Sequence, residues 1–193
     1  MTSILEVEQL DTLSSNAANT ITIGGTNTTT IAFGPNVTTT PSSLAMTPAF
    51  QANLSNDANI SNLTDTKVQC NSELYDTDGC YDNSVNYRFT PTTAGKYMVY
   101  GQLDMSAGAV SDLYAHILKF YKNGSQHTFK YQEYRNSPLF TITTSMSCVI
   151  DFNGSTDYVE MYAQIEEGAS ASQSIIQGYQ ARTHFGAYRI IGA

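Results

Sequence analysis

The chain has 193 residues, a formal net charge of −8 and only nine lysines and arginines. That length holds one full-sized domain and an appendage, and the charge leaves no clustered basic surface for a phosphate backbone, which argues against a nucleic-acid partner. Leu is scarce while Thr, Ser, Asn and Tyr abound, a mix that favours strands and tight turns over helices, and no run approaches the roughly 18–20 apolar residues of a membrane-spanning helix.

The N-terminal stretch Met1-Thr2-Ser3-Ile4-Leu5-Glu6 lacks the basic and apolar regions of a secretion signal, so synthesis in a cytoplasm is the expectation. Ile4 to Leu10 fits neither a strand nor a helix period and is assigned to an attachment arm. Next comes a ten-residue repeat, Ile21-Thr22-Ile23-Gly24-Gly25-Thr26-Asn27-Thr28-Thr29-Thr30 followed by Ile31-Ala32-Phe33-Gly34-Pro35-Asn36-Val37-Thr38-Thr39-Thr40. Each unit places two bulky apolar residues on one face of a strand and then turns. Such a strip has no core of its own, but three copies could bring Ile21, Ile23, Ile31 and Phe33 together around an axis; a disordered polar linker is the alternative. Pro41 and the small polar residues after it mark a boundary, giving an arm and short β stalk over 1–45 and a head over 46–193.

From Pro48 onward, apolar and aromatic segments alternate with Gly, Asn, Asp and Pro turns, at the rhythm of a β-sandwich. The clearest predicted strands are 66–72, 85–90, 95–105, 114–122, 127–133, 139–152, 157–165 and 184–191. In the strand from Lys96, residues Tyr97, Val99, Leu103 and Met105 share one face, with Met98 and Tyr100 on the other. From Asp157, Val159, Met161, Ala163 and Ile165 share a face opposite Tyr158 and Tyr162. Apolar character on both faces points to a subunit interface that includes Tyr100, Tyr158 and Tyr162. Asn123-Gly124 and Asn153-Gly154 are hairpin devices.

The candidate chemistry is sparse. Cys70, Cys80 and Cys148 cannot all pair within one chain; buried free thiols are the simplest reading, with a Cys70–Cys80 bridge as the alternative. His116, His127 and His184 stand at neither metal nor triad spacing. Asp76-Thr77-Asp78-Gly79 followed by Asp82 has the oxygen-rich start of a calcium loop but lacks its later bidentate Glu, so a simple turn is preferred and calcium is a minor cofactor expectation. Glu166-Glu167 reads as solvated turn residues rather than a glycosidase pair. The recognition candidates lie in polar, aromatic-bearing segments: Tyr131, Tyr134 and Arg135 in one, Tyr179, Gln180 and Arg182 in the other, since Tyr and Arg are enriched at binding hot spots.

Several spaced motifs carry a family resemblance. Tyr81-Asp82, Tyr87-Arg88-Phe89-Thr90-Pro91, Gly95-Lys96-Tyr97-Met98-Val99, Phe120-Tyr121-Lys122-Asn123-Gly124, Asp157-Tyr158-Val159-Glu160-Met161 and Phe185-Gly186-Ala187-Tyr188-Arg189-Ile190 together resemble the complement-one-q globular head and the tumour-necrosis-factor-like jelly rolls, over roughly residues 48–193. The final motif departs by placing its glycine one residue early, and no collagen-like stalk precedes the head. The arm and its Ile-Thr-Ile-Gly repeat resemble the starts of tail-fibre and other virion fibre proteins of bacteriophages, especially cyanophages. The resemblance implies an all-β jelly-roll sandwich of about ten strands that forms a homotrimer and exposes the loops of its far end. The functional expectation is a non-enzymatic virion protein: a trimeric phage tail fibre or fibre tip. It would be held to other tail or capsid proteins by its arm and would bind a host-surface receptor such as a glycan. A capsid decoration or head-fibre protein without receptor binding is the alternative.

Overall fold

The computed structural model describes residues 46–168 and 173–190; the arm and stalk read from the sequence, with Ile21, Ile23, Ile31 and Phe33, lie outside the described residues. The strands are β1 (Ala49–Asn53), β2 (Ala58–Ile60), β3 (Thr66–Lys67), β4 (Ser72–Asp76), β5 (Tyr81–Asp82), β6 (Arg88–Phe89), β7 (Gly95–Ser106), β8 (Leu113–Lys122), β9 (Ser125–Glu133), β10 (Thr141–Phe152), β11 (Val159–Glu167), β12 (Ser174–Ile176) and β13 (His184–Arg189), with a short helical turn at Tyr179–Ala181.

They form two sheets. A front sheet of seven strands runs β2-β12-β7-β13-β1-β4, with β10 on the other edge of β7, and a back sheet of six runs β5-β6-β11-β8-β9, with β3 also paired to β11. The longest ladder joins β7 to β10, antiparallel from Gly95 opposite Phe152 to Ser106 opposite Thr141. Strands β10 and β9 end their sheets on one side of the sandwich. The β8–β9 hairpin turns at Asn123 and Gly124 with φ of 52° and 77°, the doubly left-handed turn that Asn-Gly adopts at least cost.

The expected alternation decides what is buried. Tyr97, Val99, Leu103 and Met105 of β7 and Val159, Met161, Ala163 and Ile165 of β11 all face the interior, each 0% exposed. Aromatic rings join the sheets: Phe50 on β1 stacks on Tyr81 at 4.4 Å and on Phe89 at 4.6 Å and meets Phe185 edge-on at 5.0 Å. Each such ring removed from water contributes about 2–3 kcal/mol of transfer free energy.

Two predicted strands are corrected. The segment 66–72 is not one strand: β3 belongs to the back sheet and β4 to the front. Between them the chain crosses the sandwich with Val68 and Cys70 buried. The segment 85–90 shrinks to Arg88–Phe89, because the Asp82 carboxylate accepts the backbone N–H groups of Ser84, Val85 and Asn86 and bends the chain into a turn. Strands β1, β2, β5 and β12 did not stand out in the sequence, being too short to establish a period. All three cysteines are free; Cys70 and Cys80 are buried, whereas Cys148 is half-buried. Burial pushes the Cys70 thiol up to about 12, which leaves it unreactive.

His116 is the unusual member of the interior. It points inward from β8, is 0% exposed, and neither ring nitrogen has a partner among the described residues. Opposite it in register on β9 sits Gln132, whose Oε1 is likewise buried and unpaired. Burial, with Lys130 adding repulsion, pulls the imidazole from its ordinary 6.5 down to about 4. The unfolded chain therefore takes up this proton first: the contribution is fully present above pH 6.5 and is lost as the pH falls to about 4. Urea unfolding at pH 7 and pH 4.5 should differ by about 2 kcal/mol from this source, and His116→Leu should remove that part of the slope.

Candidate functional site

Two outer faces and one pole are available for function, and their chemistry differs. On the front sheet the register stacks outward-facing residues in rows: Met98 with Val149 and Tyr188, Tyr100 with Ser147 and Gly186, Gln102 with Ser145 and His184. Gln51 extends the middle row through Gly186 to Tyr75. None of these rows contains Lys, Arg, Asp or Glu. Charges appear only at the margins, where Lys96 pairs with Asp151 at 3.4 Å and Arg182 approaches Asp104 at 3.6 Å.

Tyr100 lies at the centre of this face. Its ring lies against the bare backbone of Gly186, where a Cβ would come within 2.4 Å of the ring, so this position takes glycine. Its hydroxyl donates to Gln51 Oε1 at 3.1 Å and lies 3.3 Å from the Tyr75 hydroxyl. Burial, reinforced by Tyr75, raises the phenol well above its ordinary value. His184 and Tyr188 flank the ring with centroids 6.4 Å away.

The back sheet's outer face is charged and internally paired. Lys67 donates to Glu160 at 2.6 Å, and Asp65 accepts from both Lys119 and Tyr121. Tyr162 packs on Tyr121 with centroids 4.3 Å apart, and the Arg88 guanidinium covers the Tyr158 ring at 4.4 Å. Thus Tyr100, Tyr158 and Tyr162 are not brought together: Tyr100 faces out from one sheet, Tyr158 and Tyr162 from the other.

The recognition candidates divide similarly. β1 runs from Ala49 opposite Tyr188 to Asn53 opposite His184, so Met46 to Pro48 lead in at the pole where β13 ends. At the opposite pole, just past the end of β9, lie Tyr134 and Arg135, whereas the loop of Tyr179, Gln180 and Arg182 lies beside Gln102 and Asp104 of β7, at the margin of the front face. Arg135 is held by Glu133 at 2.6 Å and by Glu166, while Arg182 donates to Gln177 at 2.6 Å beside Asp104. Tyr179 is largely exposed, next to Gln180 in the left-handed region at φ 56°. Tyr131 does not belong to that pole's loops. It stands on the β9 surface two residues from Phe129, an exposed ring that the sequence reading passed over although both lie in the predicted 127–133 strand.

The calcium-like acids form turns instead. Asp76 accepts the N–H groups of Cys80 and Tyr81 at 3.1 and 2.8 Å, and Asp78 accepts the Thr77 hydroxyl at 2.6 Å. Three backbone N–H groups hold the Asp82 carboxyl far below the usual carboxylate range. Among the described residues no group of three or more potential ligands is gathered for a cation.

The architecture matches two solved structures over most of their length. The globular domain of zebrafish complement 1qA has a TM-score of 0.50 at 13% identity, covering 74% of this chain and 97% of that one. Murine APRIL has a TM-score of 0.53 at 9% identity, covering 74% and 98%. The head is a complement-one-q/tumour-necrosis-factor-like jelly roll. No protein-family model matches the chain, and no curated protein sequence does either. At such low identities the likeness concerns the jelly-roll fold alone, and the acids that lead into β5 are explained by the turns they make. Asp82→Ala should cost about 1–2 kcal/mol in chemical unfolding, whereas calcium or a chelator should leave the thermal midpoint unchanged; a calcium-dependent rise would restore the cation reading.

Proposed function

We propose that this chain is a homotrimeric, non-enzymatic adhesive fibre protein of a virion, a bacteriophage tail fibre or fibre tip, whose jelly-roll head binds a host-surface receptor. The observation that carries the assembly is the absence of charge from the middle rows of the front face, set against the ion pairs of the back face. Burying an unpaired charge in an interface is costly, and interface centres are accordingly depleted in Lys, Glu and Asp and enriched in Tyr and Met. Tyr75, Tyr100, Tyr188 and Met98 are the residues such a centre uses, and three copies that turn this face toward a common axis bury it.

This reading narrows the interface to the front sheet and leaves Tyr158 and Tyr162, already covered by charged neighbours, toward solvent. Support for the fibre setting comes from the sequence: a polar arm and a ten-residue repeat precede the head. Tyr134 and Arg135 lie at the pole opposite the one where Met46 to Pro48 lead in, the end a fibre presents outward, while Tyr179, Gln180 and Arg182 add a second polar, aromatic-bearing surface at the front-face margin. A trimer multiplies weak contacts of this kind into useful avidity on a repetitive cell surface.

Sedimentation of the purified chain at micromolar concentration should give a trimer. Tyr100→Asp or Tyr188→Asp should weaken it on the order of a hundredfold, while Tyr162→Asp should leave it intact. A wild-type monomer, or greater sensitivity at Tyr162, overturns the assembly. Antibody labelling of intact particles should decorate the tail rather than the capsid.

A further inference from the structure

The back sheet carries one interruption in its paired charges. Between β8, β9 and the segment before β3 lies a cleft of about 270 Å³ whose apolar floor is made by Leu63, Ile117, Phe129 and Tyr131. Leu63 is 61%, Phe129 54% and Tyr131 44% exposed. Phe129 and Tyr131 stand two residues apart on β9, so their rings project from the same face about 7 Å apart.

Leu63 is held there against its own preference. Its φ is 56°, in the left-handed region that a branched aliphatic residue rarely adopts. It is fixed by its N–H donating to the Ile165 carbonyl at 2.8 Å and by its carbonyl accepting from Gln164 Nε2 at 3.0 Å. An exposed leucine pinned in a strained conformation, beside two exposed rings, gains nothing for the fold from its side chain.

The rim determines the kind of ligand. Lys119 and Glu166 are the two charged lining residues, opposite in sign and each already engaged, Lys119 by Asp65 and Glu166 by Arg135, so the lining carries no net charge. Three neutral or half-used groups remain: the Gln126 amide, the Tyr131 hydroxyl and the second Glu166 oxygen make no hydrogen bond within the described residues. Aromatic faces that receive weakly positive C–H groups, ringed by hydrogen-bonding groups without net charge, are complementary to a neutral pyranose. The volume also suits a small ligand rather than a packed protein surface.

We infer that this cleft is a carbohydrate subsite, in which a neutral hexopyranose stacks on Phe129 and Tyr131 against Leu63 and hydrogen-bonds to Gln126 and Glu166. The inference rests on the adhesive reading for its biological setting, not for its chemistry. It lies on the sheet opposite the proposed trimer face.

The test titrates the isotopically labelled full chain with cellotetraose, maltotetraose and chitotetraose, following backbone amides by nuclear magnetic resonance. At least one of the three should bind, with shifts centred on β8, β9 and residues 61–65. Phe129→Ala should lower affinity at least about tenfold. Leu63→Gly should do the same while keeping or raising the thermal midpoint, since glycine relaxes the left-handed backbone; a merely structural leucine would not separate the two readouts. No binding by any of the three sugars, or binding that survives both substitutions, overturns the subsite. Shifts confined to 134–140 and 177–183 overturn it too while leaving adhesion through the polar loops standing, and a monomer that still binds sugar at β9 fails the trimer but not the subsite.

Discussion

Phe50 is the contact through which the two sheets hold one another. It projects from β1 of the front sheet and stacks on Tyr81 and Phe89 of the back sheet at 4.4 and 4.6 Å, while Phe185 closes on its edge at 5.0 Å. The chain then continues through Phe89, Tyr97 and Phe152, whose successive centroids are 5.8 and 5.2 Å apart. Because a strand alternates its side chains strictly, assigning these rings to the interior assigns their neighbours to the outside. The positions of Tyr100, Tyr188, Phe129 and Tyr131 on outer surfaces are consequences of that core.

The two outer faces solve different problems. On the back sheet, lysines and carboxylates neutralise each other over tyrosine rings, an arrangement suited to water because each charge keeps partners and partial solvation. On the front sheet the middle rows have no charge, and the central ring is set by a glycine beneath it and by hydroxyl contacts to Gln51 and Tyr75. A surface of that kind loses little on dehydration, which is why assembly is assigned to it. The carbohydrate inference follows from the same contrast, since the Leu63, Phe129 and Tyr131 patch is the place where the charged pattern of the back sheet lapses.

Particular residues show how far the sequence could be read. The inward sets of β7 and β11 were legible because each strand is long enough to establish a period of two. The Asn-Gly hairpin was legible because few dipeptides tolerate two left-handed residues. By contrast, the spacing of Asp76, Asp78 and Asp82 resembled a cation loop, and only coordinates show their oxygens accepting backbone N–H groups. Arg135 and Arg182 looked free for recognition, yet both are engaged by carboxylates or amides of their own chain. Phe129 carries no loop signal: on a strand that alternates in period two, an exposed ring reads the same as a buried one until the sheet's faces are known.

By itself, the sequence determined the class of the fold, the turns and the side of each long strand that faces the interior, since these depend on local alternation and on backbone preferences of a few residues. The tertiary structure decided which sheet each strand joins. Tyr100 and Tyr162 have the same local pattern, an outward ring between two buried neighbours (Val99 and Gly101, Met161 and Ala163), but sheet membership is set by pairings between residues distant in the chain, such as Tyr100 with Ser147 and Gly186 and Tyr162 with Lys119 and Lys67. Those pairings turn the two rings to opposite surfaces, because the sheets of a sandwich share one interior and their outer faces point apart.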